Sequence, residues 1–240
     1  MSRASLLALG GTGADAERWV RGARRRARHD GRDLVIDDVL DEIRGLQRAR
    51  TADEAYRYAV HEAGHALVLV VEEPGALVSA SIRQTGDTQG GVLADRRDRR
   101  PVTRREIATR LRMLLAGRVA EEVVFGDVST GAGGDASSDL AQATMLAAAA
   151  LNAYGLEDGV DGLLWRGLPT PDTLPVTLSW RPDMAAQVSA MLADGYAEAR
   201  DLIHRHRGGL EAIARLLVER ETVGGKEIES LFRSEGLLTR

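Results

Sequence analysis

The sequence contains no cysteine, which excludes disulfides, thiolate metal sites and a cysteine nucleophile together. It has no run approaching the roughly eighteen apolar residues of a membrane-spanning helix. The longest apolar stretch, Ala143 to Leu151, is far too short, and the apolar Ser5 to Leu9 is followed directly by glycines rather than by a signal-peptide pattern. A soluble chain is therefore expected. Aromatics supply only 4% of the residues, so the core must rest on Ala, Leu and Val, and a core of small aliphatics suits close-packed helices better than a sandwich of strands. Lysine is nearly missing too, Lys226 being the only one. The net charge of −4 argues against a general nucleic-acid binder, which would carry a large basic excess. Two basic runs, Arg24 to Arg28 and Arg96 to Arg100, read as a solvated helix face and a solvated loop.

What is present reads as helices with clear punctuation. Thr12 is placed to cap a helix running to about Arg28, and Asp37 to cap a second helix through Ile43 after an extended Leu34 to Ile36. The cluster Gly10-Gly11-Thr12-Gly13 lacks the ending of a phosphate loop. Thr51 to Glu54 and Thr103 to Glu106 have capping-box spacing and open two longer helices. Pro74-Gly75 ends the first of these and Gly126 the second. Between them, Leu77 to Arg83 reads as a strand, either an edge open to an extended peptide or a covered structural strand, and Gly91 to Ala94 as a second strand or a loop. Ser129 to Gly134 is a glycine-rich loop, and Asp139 to about Tyr154 an alanine-rich helix. Pro169, Pro171 and Pro175 mark an irregular connection. The remainder is helical over Asp183 to Arg205, Leu210 to Arg220 and Lys226 to Phe232.

The chemistry lies in His61-Glu62-Ala63-Gly64-His65, which has the HExxH form. Residues four apart on a helix share one face, so His61 and His65 can converge on a single metal, and neutral imidazole is a good zinc ligand. Glu62 then stands beside the metal, where it can accept a proton from water and pass it to a leaving amine. A catalytic zinc normally has three protein ligands. For the third, the residues leave His29, His204 or His206, Glu121 or Glu122, and Asp135 or Asp139 open.

Four segments in order, "HEAGHA" from His61, "AGRVAEEVVFG" from Ala116, "STGA" from Ser129 with "DLAQAT" from Asp139, and Leu210 to Phe232, resemble the peptidase domain of FtsH-type AAA proteases. The resemblance implies a mainly α fold, a helical zinc-peptidase domain with a small edge β element over residues 51–240. Residues 1–50 resemble the helical lid that ends the family's ATPase module. It further implies an ATP-dependent zinc endopeptidase acting on unfolded polypeptides and assembled as a homo-oligomeric hexamer. Its setting would be cytoplasmic, with membrane association only through parts absent from this chain. It implies an aspartate third ligand at the start of the helix after the glycine loop. Ala136 to Asp139 look like an insertion there, so Asp135 and Asp139 compete. Asp139 keeps the family offset to Ala143-Thr144, and a helix start with Ser137 or Ser138 as cap holds a ligand more rigidly than a loop beside Gly133 and Gly134. The expected site is therefore His61, His65 and Asp139 around Zn2+, with Glu62 as the catalytic base.

Two further readings accompany this one. Glu121 or Glu122 could orient a zinc-bound imidazole through its second ring nitrogen, or both could pair with Arg118 or solvent. No Walker A loop, Walker B segment or arginine finger occurs in these residues, which reads as a fragment of a longer protein or a peptidase without its motor. The alternative function is a catalytically silent FtsH-like assembly or binding module.

Overall fold

The computed structural model of the chain describes residues 12–44, 50–83, 90–95, 102–156 and 163–234. Three threonines set its framework. Thr12, Thr51 and Thr103 each accept the backbone N–H of the third residue of a helix, while the carboxylate of that residue accepts the threonine's own N–H. These reciprocal caps start α1 (Gly13–His29), α3 (Ala52–Glu72) and α4 (Arg104–Phe125) at the positions the sequence indicates. Gly126 ends α4 in the left-handed region, at φ 68°.

The other elements are α2 (Ile36–Arg44), β1 (Leu77–Ser81), β2 (Gly91–Ala94), a 3-10 turn (Thr130–Ala132), α5 (Asp139–Asn152), α6 (Leu174–Trp180), α7 (Pro182–Arg205), α8 (Arg207–Arg220), β3 (Thr222–Gly224) and α9 (Gly225–Ser234). The chain is mainly α with a small sheet, as expected. Among the described residues no helix is long and apolar enough to cross a membrane.

Several expectations need correction. Asp37 lies inside the first turn of α2 rather than capping it, and the Asp38 carboxylate instead accepts the N–H of Val35 at 3.0 Å. The proline-marked connection contains α6, because Pro175 sits in a first turn, where its missing N–H costs nothing. The strand from Leu77 is shorter and is not an edge. The antiparallel order is β2-β1-β3, so β1 pairs on both sides, and among the described residues β2 is the outer strand next to it. The short β3 went unread because three residues become a strand only through pairing with Ser79 to Ser81. Arg24, Arg25 and Arg28 are solvated on α1 as expected, but Arg26 is half-buried and donates to Glu42 of α2 at 2.6 Å; Arg96 to Arg100, Gly10 and Gly11 lie outside the described residues.

The core is built of small aliphatics. One cluster joins Val60, Leu67 and Leu69 of α3, Val119 of α4, Ile203 of α7, Ile213 and Leu217 of α8, and Phe232 of α9. A second joins Ile107, Leu111 and Leu115 of α4 to Ala143 and Ala147 of α5 and to Met184 and Val188 of α7. Helix α4 belongs to both clusters, so the two faces of one helix are fixed by packing. Truncating a fully buried leucine such as Leu67 or Leu111 would cost about 2–5 kcal/mol. Helices α3 and α4 meet at the closest approach backbones allow: a Cβ on Gly64 would lie 2.5 Å from the carbonyl oxygen of Ala116.

Candidate metal centre

That contact sets the site. Arg57, His61 and His65 follow one another at single-turn spacing along α3, and Met113, Gly117 and Glu121 do the same along α4. The helices run in opposite directions, so Arg57 meets Glu121, the imidazoles meet Gly117, and His65 meets Met113. Nδ1 of His61 lies 2.8 Å from Oε1 of Glu121, and Nδ1 of His65 lies 2.6 Å from the backbone oxygen of Met113. A carboxylate and a carbonyl only accept, so each Nδ1 carries the donated hydrogen and each Nε2 presents its lone pair.

Glu121 is itself held firmly. Its buried carboxylate accepts from Arg57 Nη1 at 2.9 Å, from Ser129 N–H at 2.8 Å and from Ser129 Oγ at 2.9 Å. Burial alone would raise its pKa, but the hydrogen bonds from His61, Arg57 and Ser129 bring it down to about 2. Of the two glutamates weighed for this role the structure places Glu121 at the imidazole, and its partner is Arg57 rather than Arg118. Glu122 accepts instead from the Tyr196 hydroxyl.

Asp139 is the first residue of α5, with the Ser138 side chain as cap. Its Oδ2 lies 3.1 Å from Nε2 of His61 and 3.2 Å from Nε2 of His65. Asp135 is exposed at the rim of the same cleft and does not join the cluster: its Oδ1 accepts from Ser137 N–H at 2.7 Å and Ser137 Oγ at 2.6 Å. The residues between the two aspartates form a turn, with Ser138 N–H donating to the Asp135 carbonyl at 3.1 Å, and so they do not extend α5 backward. His29 ends α1, and His204 and His206 lie at the end of α7, His206 against the Phe232 ring; none joins the cluster.

The donor set fits a divalent metal of the zinc class. One ligating atom from each of His61, His65 and Asp139 lies within 4.8 Å of the others, and imidazole nitrogen with carboxylate oxygen is a zinc-type combination. All three are electron-pair donors, so only a proton or a cation can sit between them favourably. Burial pushes His61 down, but hydrogen bonds to Asp139 and Glu121 raise it to about 10. Burial likewise pushes Asp139 up, and the two imidazoles more than reverse it, holding the carboxyl well below its ordinary range.

Glu62 is buried next to this cluster, and burial pushes its carboxyl up against the opposing pull of His65 and His61. The chain entering β2 passes directly over it: a Cβ on Gly90 would lie 2.7 Å from Oε1 of Glu62. A cleft between β2 and the Ser129 to Asp139 loop opens onto His61, Glu62 and His65.

Sequence reasoning missed several supporting groups. Arg57 could have been found, since it stands one turn before His61 on the same helix face. Gly117 and Ser129 lie within quoted segments whose letters carry no spacing rule. The Met113 carbonyl leaves no side-chain signal.

Residues 48–231 match the model of peptidase family M41. The chain is 32% identical to the ATP-dependent zinc metalloprotease FtsH of Syntrophobacter fumaroxidans, over 92% of this chain and 36% of the relative. It is 35% identical to ATP-dependent zinc metalloprotease FtsH 2 of Symbiobacterium thermophilum, over 93% of this chain and 39% of that one. It is 32% identical to ATP-dependent zinc metalloprotease YME1L of Drosophila melanogaster, over 93% and 31%. The chain thus spans between 31% and 39% of the length of these relatives. With the HExxH helix inside the matched segment, the match extends well past the motif to nearly the whole helical domain, and the chain belongs to peptidase family M41, the FtsH-type zinc metalloproteases.

Proposed function

We propose that this chain is a zinc-dependent endopeptidase that hydrolyses peptide bonds of unfolded polypeptides, as the proteolytic part of an ATP-dependent protease. The observation that carries the reading is the convergence of His61, His65 and Asp139 beside the buried carboxyl of Glu62. These three residues would hold the zinc, which when bound polarises the scissile carbonyl and makes water acidic enough to attack near neutral pH. Glu62 accepts the proton of the attacking water and returns it to the leaving amine nitrogen. Burial suits it to both tasks, because a carboxyl raised in pKa holds a proton long enough to donate it. Glu121 and Met113 keep both imidazoles in one tautomer and orientation.

The exposed side of β2 supports the choice of an extended substrate. Its backbone borders the cleft beside Glu62, and pairing of a peptide with an outer strand uses main-chain groups every sequence has. Such a site takes polypeptides that are already unfolded. By resemblance, the working form is a homo-oligomer, a hexamer, and residues 1–50 belong to the lid of a preceding ATPase module. The pairing of α1 with α2, around buried Trp19, Ala23 and Leu40, is consistent with a small helical unit there. Any membrane attachment is assigned to parts outside this chain.

The test is digestion of unfolded casein, followed by mass spectrometry of the products. Internal cleavage that a chelator stops supports the proposal. Stepwise trimming from one end would contradict the endopeptidase reading, and an absence of products would favour the catalytically silent module.

A further inference from the structure

One position on α4 carries no side chain where both imidazoles need space. Gly117 is in the helix interior, buried, and its φ is not positive. Its backbone conformation is one that any residue adopts, and in a helix interior alanine is favoured over glycine. The glycine is therefore not explained by the helix.

The space explains it. A Cβ at position 117 would lie 2.4 Å from Nε2 and 2.6 Å from Cδ2 of His61, and 2.5 Å from Nε2 of His65. Ordinary contact between such atoms is about 3.5 Å. Neither ring is free to step aside, because Glu121 holds His61 by Nδ1 and Met113 holds His65 by Nδ1. The helices cannot part either, since Gly64 and the Ala116 carbonyl are already at backbone contact, with Ala63 and Ala120 fully buried alongside.

We propose that Gly117 is a positioning residue of the metal centre: its missing side chain leaves the only ground on which both Nε2 atoms can face one ion. The inference rests on the zinc reading above and adds a requirement that lies outside the ligands. The conflict falls on the imidazoles, so a side chain at position 117 disables metal binding while leaving the helix itself content.

The test is Gly117→Ala in the full chain, read by zinc affinity in competition with a chelating dye and by the melting temperature of the metal-free protein. Zinc affinity is expected to fall by about 100-fold or more, at the upper end of effects seen for residues that orient ligands. The metal-free melting temperature is expected to fall as well, because both rings, held at Nδ1, must be displaced to admit the methyl group. The same substitution is also made in a His61→Ala/His65→Ala background, where the crowding is gone and Gly117→Ala is expected not to lower the melting temperature. Should Gly117→Ala fold only in that background, the clash is demonstrated directly. Unfolding in both backgrounds, or wild-type zinc affinity in the single variant, would overturn the proposal. A wild-type chain that binds no zinc would instead overturn the zinc reading, and this inference with it.

Discussion

The backbone oxygen of Met113 lies 2.6 Å from Nδ1 of His65, while Oε1 of Glu121, two turns further along α4, lies 2.8 Å from Nδ1 of His61, one turn back along α3. Helix α4 thus fixes the tautomer of both imidazoles on α3, once through a main-chain group and once through a side chain. The two contacts differ in what mutation can reach. The carbonyl survives any replacement of Met113, but the carboxylate does not survive replacement of Glu121.

Glu121→Gln should weaken zinc binding by about 10- to 100-fold, because the amide can still accept from His61 but no longer charges the contact or answers Arg57. Titration with a zinc-competing dye measures this. Zinc affinity equal to wild type would show that His61 is held by packing alone.

Glu62→Gln should keep zinc and lose hydrolysis by about 10² to 10⁴, since it removes the base but neither imidazole. Zinc content and casein turnover, measured on the same preparation, check it. Turnover near that of wild type would end the role given to Glu62.

Asp139→Asn should weaken zinc binding and abolish cleavage, whereas Asp135→Asn should leave most of both. The first carboxylate reaches both imidazoles, and the second is occupied with Ser137 in an exposed turn. The reverse pattern would mean that Asp135, not Asp139, takes up the metal.

Much of this was legible in the sequence for identifiable reasons. Capping boxes and an i, i+4 histidine pair are local rules, so Thr51, Thr103, His61 and His65 fall where they were expected. The choice of Asp139 could be argued because a helix start is also a local feature. Relationships across the fold were not legible. That β1 is flanked on both sides depends on β3, some 140 residues further on, and the hydrogen bond from His65 ends on a carbonyl that every residue possesses. Glu121 and Glu122 are adjacent letters with equal chemistry. Only the rotation of α4 within its two clusters decides that one faces the imidazole and the other Tyr196.

The N-terminal helix pair offers a pH test independent of the metal site. Hydrogen bonds from Arg32, then from the Val35 N–H, hold the Asp38 carboxyl at about 2, below its ordinary 3.8. A carboxyl with a depressed folded-state pKa adds stability that is present above the unfolded value and lost as pH falls through the folded one. Asp38→Asn should therefore lower the melting temperature near neutral pH, and the gap from wild type should close as pH falls from about 4 to about 2. Fluorescence of Trp19, buried in this pair, follows the transition. A gap that stays constant across that range would show that the Arg32 contact contributes no charge-dependent stability.

The most direct test of the central claim is metal analysis of the purified chain, coupled to cleavage of unfolded casein before chelation, after chelation and after zinc is returned. The account predicts one zinc per chain, cleavage that disappears with the metal, and recovery on adding zinc back. Cleavage that persists in metal-free protein, or a zinc-loaded chain that cuts nothing, would contradict it.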